Sequence, residues 1–345
     1  MIDLRSDTVT LPSPAMRKAM YEAELGDDVF GEDPTVNRLQ EMAAARLGKE
    51  AALLVVSGTM GNLVSCLTHC QRGDEMIVGE FNHVYLFEAG SVSALGGIHT
   101  RSVPNQPDGS LLPEDVRQAL RLPWNEHYPR SRLVCLENTH NRCNGAPIGP
   151  EKIDAVAQVA HSHGISVHLD GARIFNAEVA LGVPAARLAR ECDSVQFCLS
   201  KGLAAPVGSV ICGSRAFIQE ARRWRKMVGG GMRQAGIIAA AGIVALREMI
   251  DRLAEDHENA RRLAYGIAEC PYIKIDPAAF QTNIIYFDLS ERCPHTAEEF
   301  SRRLQEQGVL VSRPGGRRFR AVTHYGITSA DIDVAIKAIA GAASP

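Results

Sequence analysis

The sequence predicts an α/β fold: a large domain on a mostly parallel sheet, followed by a smaller α+β C-terminal unit. Three observations carry this. Between residues 51 and 212, short apolar runs alternate with helical stretches, the order that builds βαβ units. Those runs are rich in Val, Ile and Leu without strict alternation, as strands covered on both faces require. Beyond Gly229-Gly230-Gly231 the alternation gives way to longer helices and scattered short strands. The length of 345 residues agrees, since a domain commonly takes about 100–200.

Taken in order, residues 1–33 hold Pro12, Pro14, Gly26 and Gly31 and read as an extended arm with one short helix near 13–23. Asp33-Pro34 opens a helix, with Asp33 as cap and Pro34 in the first turn. Val36, Leu39, Met42, Ala43 and Leu47 hold its period, and Gly48 ends it. Strands are expected at 52–56, 75–78, 98–103, 133–136, 165–169, 194–198 and 209–212. Helices are expected between most of them, as at 61–70, 113–120 and 151–162. A single long helix from about 234 to 269, apolar first and charged later, should carry the chain to its second unit. That unit reads as strands at 272–275, 282–287, 309–312 and 319–322, with helices at 296–307 and 329–340. The expected boundaries are an arm over 1–33, a large domain over 34–250 and a small domain over 251–345.

Composition narrows the function. With 37 basic and 40 acidic residues the formal charge is −3, which gives no footprint for nucleic acid. The 46% apolar content argues against disorder, and no apolar run approaches the roughly 20 residues of a membrane span. Met1 to Asp7 turns polar within three residues, with no apolar signal core. Nine irregularly spaced cysteines, several within apolar runs, read as buried thiols of a reducing compartment, so a cytoplasmic location is expected. No metal site is expected, because no His or Cys completes the pair Cys66 and Cys70.

Three stretches carry chemistry. In Ser200-Lys201-Gly202, Lys201 sits among apolar residues that disfavour its charge, the condition a Schiff-base lysine needs. On position alone it also reads as a surface lysine. In the second, Asp170 ends the 165–169 run, and ligands of open parallel sheets bind at that end. A carboxylate there could hold a protonated ring nitrogen, and Arg173 could clamp an anion or fix the aspartate. A plain helix cap remains the alternative. The third, Ser57-Gly58-Thr59-Met60-Gly61-Asn62, follows a strand and opens a helix, offering free N–H groups to a phosphate. Taken singly it fits any tight strand–helix turn. Together the three supply what pyridoxal phosphate needs: a phosphate site, a carboxylate for the pyridine nitrogen and a lysine for the aldehyde. His83, just past the 75–78 run, could stack on such a ring and move protons; an ordinary core or surface histidine is the alternative.

These residues resemble the threonine aldolases of the pyridoxal-phosphate fold-type I superfamily. The resemblance spans nearly the whole chain. It rests on Met1–Thr10, Gly26–Pro34, Ser57–Asn62, Glu137–Asn141, His168–Arg173, Phe197–Gly202 and Gly229–Gln234. It implies a seven-stranded large domain, a small C-terminal domain, and a homotetramer of tight dimers with active sites at the dimer interface. Lys201 would be the Schiff-base lysine, Asp170 the pyridinium partner, and His83 the stacking residue and candidate base. Gly58 and Thr59 would bind the phosphate, joined by Arg233 from the neighbouring subunit. Ser6, Arg173 and Arg320 would hold the substrate carboxylate. His127 resembles a second histidine near the substrate hydroxyl. The implied reaction is reversible cleavage of L-threonine, L-allo-threonine and other β-hydroxy-α-amino acids to glycine and an aldehyde, through a cofactor aldimine and a glycyl quinonoid. β-Elimination or transamination on the same fold is the alternative. Departures fall at Phe30 and Phe87, where family members often carry tyrosine, at Tyr325-Gly326 and across Ser312–Arg318.

Overall fold

The structure, a computed structural model, describes residues 1–121 and 125–345. Seven strands form the large sheet: β1 (Ala51–Val55), β2 (Asp74–Gly79), β3 (His99–Val103), β4 (Arg130–Glu137), β5 (Ser166–Asp170), β6 (Ser194–Cys198) and β7 (Ser209–Gly213). Their order across the sheet is β1-β7-β6-β5-β4-β2-β3. Strands β2 to β6 pair in parallel, and β7 runs antiparallel to both neighbours. The exception has a simple cause. Parallel neighbours need a crossover of about a dozen residues or more, usually a helix. Only residues 199–208 join β6 to β7, so the chain folds straight back.

The chain runs outward from β2 to β3, then returns to place β4 on the other flank of β2. A crevice opens beyond the carboxyl ends where strand order reverses in this way. Gly79, Glu137, Asp170 and Cys198 end the four strands that border it.

One apolar core joins this sheet to its helices, from Met16 and Leu39 through Leu169 and Phe197 to Leu253. A second core gathers Leu4 with residues from Ala260 to Ala343. It includes Phe287, Phe300 and Phe319, whose rings contact one another. Its antiparallel sheet comprises β8 (Ile273–Lys274), β9 (Ile284–Leu289), β10 (Ser312–Gly315) and β11 (Arg318–Val322), in the order β10-β11-β9-β8.

Two expectations need correction. The stretch 234–269 is not one helix. It divides into Gly236–Val244, a wide π turn at Ala245–Met249, and Leu253–Ala268. At the break, three-residue bonds tighten the chain, with Leu253 N–H donating to Ile250 O and Ala254 N–H to Asp251 O. The physical reason is that Ala245 to Leu253 serve the first core and Ala260 onward the second, so the axis must be re-aimed between them. The arm is also less free than its composition implied. Ile2–Asp3 pairs in parallel with Val309–Leu310, and Leu4 joins the second core.

Candidate active site

Asp170 is the last residue of β5 and is 3% exposed. Its register partner on β6 is Gln196, whose Nε2 donates to Asp170 Oδ1 at 2.6 Å. Ala172 N–H donates to the same oxygen at 3.1 Å, and Asn62 Nδ2 to Oδ2 at 2.9 Å. Burial opposes ionisation, but the charges of His83 and Lys201 and the two amides hold the carboxyl below its ordinary range.

Lys201 lies in the tight return between β6 and β7. Its carbonyl accepts from Ala204 N–H at 2.8 Å, and Ala204 adopts φ +62°, a left-handed turn position. A Cβ on Gly202 would stand 3.0 Å from Leu253 Cδ2, so the turn is pressed against the core. The Lys201 charge is felt at Asp7, His83 and Asp170, of which Asp170 ends and His83 follows a strand at the same end of the sheet.

Helix Gly58–His69 begins at the same edge. Ser57 caps it, its hydroxyl accepting from Met60 N–H at 3.2 Å. Gly58 is required by packing, since a Cβ there would stand 2.8 Å from Cys198 Sγ. The helix start thus abuts the end of β6, and a helix start leaves its first N–H groups without intrahelical partners, as an anion site requires.

His83 opens the short helix His83–Leu86. Its backbone N–H donates to Glu137 Oε2 at 2.6 Å, and its Nδ1 meets Glu88 Oε1 at 2.8 Å. The ring lies 5.6 Å from that of Phe87. Burial works against a charge on His83, yet Glu88 and Asp170 outweigh it and raise its pKa.

The remaining side of the crevice is cationic. Arg173 donates from Nε and Nη2 to the two oxygens of Asp7, both at 2.7 Å, in a fully buried fork. The Nη1 edge of Arg173 lies outside this fork. Arg320 reaches across from β11; its Nη2 donates to Asn141 Oδ1 at 3.0 Å, and its buried Nε has no partner among the described residues. Burial first, and the charge of Arg173 second, lower the Arg320 pKa. Two guanidiniums facing one carboxylate leave a positive excess that a second carboxylate would relieve. Ser6 caps the turn at Asp7–Val9, its hydroxyl accepting from Thr8 N–H at 3.2 Å.

Lys201, Asp170, His83, Arg173, Arg320 and the Gly58-Thr59 turn thus gather at one edge of the sheet. Two expected residues do not join them in this chain. His127 is exposed and precedes Arg130, at the amino end of β4, a full strand away from Glu137. Arg233 is half-exposed and donates from Nη1 to Asp27 Oδ2 at 3.0 Å. Sequence reasoning missed Asp7, Asn62, Glu88 and Gln196. Asn62 and Gln196 carried a signal, as lone amides inside apolar runs.

The comparisons agree with this geometry. The beta-eliminating lyase family model matches residues 3–290. Low-specificity L-threonine aldolase 1 of Arabidopsis thaliana is 48% identical over 333 residues, 96% of this chain and 93% of that protein. Low specificity L-threonine aldolase of Escherichia coli (strain K12) is 44% identical over 328 residues, 95% of each chain. The solved threonine aldolase of Leishmania major superposes with a TM-score of 0.83 over 98% of each chain, at 20% identity. That last likeness is one of fold, and the fold is the fold-type I architecture. By its near full-length identity to curated relatives, this chain belongs to the low-specificity L-threonine aldolase family of the beta-eliminating lyases.

Proposed function

We propose that this chain is a pyridoxal-phosphate-dependent threonine aldolase, cleaving L-threonine and related β-hydroxy-α-amino acids to glycine and an aldehyde. The observation that carries the reading is the placement of Asp170, Lys201 and His83 at or just past the carboxyl ends of parallel strands, beside a helix N-terminus. The donor set suits the cofactor: an amine for the aldehyde, an ionised carboxylate for the ring nitrogen, and helix N–H groups at Gly58 and Thr59 for the phosphate. When bound, pyridoxal phosphate supplies the electron sink for the carbanion left at the substrate's Cα.

The protein's own contribution is position and proton traffic. Arg320, with Ser6 and the free edge of Arg173, would grip the substrate carboxylate and so orient the Cα–Cβ bond for cleavage. His83, or a water it holds, would take the β-hydroxyl proton. Asp170 would keep the ring nitrogen protonated, and Lys201 would hold the cofactor through Nζ.

The domain division follows the two cores: a cofactor-binding part to about residue 250, a carboxylate-gripping part beyond it, and an arm over 1–33 that serves both. We further propose a cytoplasmic homotetramer of tight dimers. Exposed Phe81, Tyr85, Leu86 and Phe87 flank His83, and exposed Phe30 crowns the arm, which favours a covering protomer. In such an assembly His127 and Arg233 would serve a site on another copy.

Purified protein, loaded with pyridoxal phosphate and then freed of unbound cofactor, should absorb near the visible edge, and Lys201→Ala should abolish both that band and turnover. Incubation with threonine should yield glycine and acetaldehyde. A colourless wild type, or 2-oxobutanoate in place of glycine, sinks the reading.

A further inference from the structure

Beneath His83 lies a buried polar cluster that the mechanism above does not use. Glu88 is 2% exposed, and its Oε1 meets both His83 Nδ1 and Asn62 Nδ2 at 2.8 Å. Asn62 spends its other amide proton on Asp170 Oδ2 at 2.9 Å. The Asn62 carbonyl faces His168 Nε2 at 3.1 Å, and His168 Nδ1 meets Ser194 Oγ at 2.8 Å. The amide thus has no freedom to turn over: both protons point to carboxylates and its oxygen to an imidazole. Glu88 Oε2 has no hydrogen-bond partner among the described residues. His83, Glu88 and Asp170 each place a ligating atom within 4.8 Å of the others. Donors already occupy both oxygens of Asp170, so protons rather than a cation link the three groups.

We propose that Glu88 is a positioning residue for catalysis: it fixes the tautomer and orientation of His83 through Nδ1, and through Asn62 it couples the charge of His83 to that of Asp170. The inference rests on His83 moving the substrate proton. With Nδ1–H committed to Glu88, the base is Nε2, and among the described residues nothing hydrogen-bonds to it. The groups facing His83 are Glu88, Asp170, Lys201 and Glu137, with Arg142 behind the Phe87 ring. Of the carboxylates, only Glu88 touches the imidazole itself. An anion there favours the protonated ring, and its removal must lower the His83 titration.

The test compares Glu88→Gln, which keeps the shape and removes the charge, with Glu88→Asp. His83 is followed by NMR in full-length protein carrying labelled histidine, with and without pyridoxal phosphate, and assigned by the resonance lost in His83→Asn. Glu88→Gln should move the His83 midpoint down by about one pH unit. It should cut kcat for threonine roughly 10- to 100-fold, leave KM within about threefold, and carry the acid limb of the kcat profile downward with the midpoint. Glu88→Asp, still an anion, should recover most of the midpoint and part of kcat. An unmoved midpoint and acid limb in Glu88→Gln overturn the proposal, as does wild-type kcat. If Glu88→Gln fails to fold, Glu88→Ala decides: with the carboxylate gone the midpoint must fall, and an unchanged midpoint overturns the proposal. Absence of any aldolase turnover would instead sink the functional reading, and the histidine titration would still be read.

Discussion

The Asp7–Arg173 pair offers a sharp perturbation, because it joins residues 166 apart and is wholly shielded from water. Asp7→Asn keeps the size of the side chain and removes its charge, stranding a buried guanidinium. Breaking a buried pair from one side costs about 3–5 kcal/mol. At roughly 2.1 cal/mol/K per residue, 345 residues give an unfolding entropy near 0.7 kcal/mol/K, so Tm should fall by about 4–7 °C at pH 7. The pH dependence has a definite sign. Burial opposes the Asp7 charge, but Arg173 outweighs it and holds the carboxyl far below the ordinary range. A depressed folded pKa gives stability that is complete above the unfolded value of 3.8 and is lost as pH falls toward the folded one. The gap between wild type and Asp7→Asn should therefore narrow, by about 1 kcal/mol at pH 3. Calorimetry across pH reads both quantities. Asp7→Leu with Arg173→Met should lose less stability than Asp7→Leu alone, since no charge is stranded. A Tm change below about 2 °C, or a gap that widens on acidification, would refute the reasoning.

Three further outcomes follow from the site. Arg320→Gln removes one charge-assisted contact, worth about 1.5–3 kcal/mol, and should raise KM for threonine roughly 10- to 150-fold in steady-state assays with kcat little changed; an unchanged KM would move the carboxylate grip elsewhere. Asp170→Asn should lower turnover by roughly 100-fold or more while far-UV circular dichroism stays native; full rate would remove Asp170 from its place beside the ring. Gly58→Ala should weaken cofactor retention in a dialysis assay, because its methyl meets Cys198 Sγ at 2.8 Å, and Cys198→Ala in the same chain should restore much of it; equal losses in both would exclude the steric cause.

Much of the fold was legible because its signals are local. Ser194–Cys198 matches its apolar run residue for residue, and the other large-sheet strands begin or end within three residues of theirs. Continuous Val/Ile/Leu runs mark strands buried on both faces. Caps were equally local: Asp33 accepts from Thr35 and Val36 N–H, as its place before Pro34 required. The break at 245–252 left no such trace, because each half of the stretch keeps a helical period and only the two cores demand a change of direction.

The site divides in the same way. Asp170, Lys201 and His83 could be found because each follows an apolar run, and strand ends in open α/β sheets face ligands. Asp7 could not, since nothing near it in sequence names Arg173 as its partner. Glu88 was silent for a like reason: its bonds go to His83 and, through Asn62, to a strand more than 80 residues later.

By itself the sequence determined the α/β class, the strands and the residues at their carboxyl ends, since these depend on periodicity and on chemistry carried by short segments. Only the tertiary structure decided that Arg173 is spent largely on Asp7, that Arg320 keeps an Nε unpaired among the described residues, and that Glu88 and Asn62 tie His83 to Asp170. Those are pairings across the chain, fixed when burial makes an unsatisfied polar group too costly to leave alone.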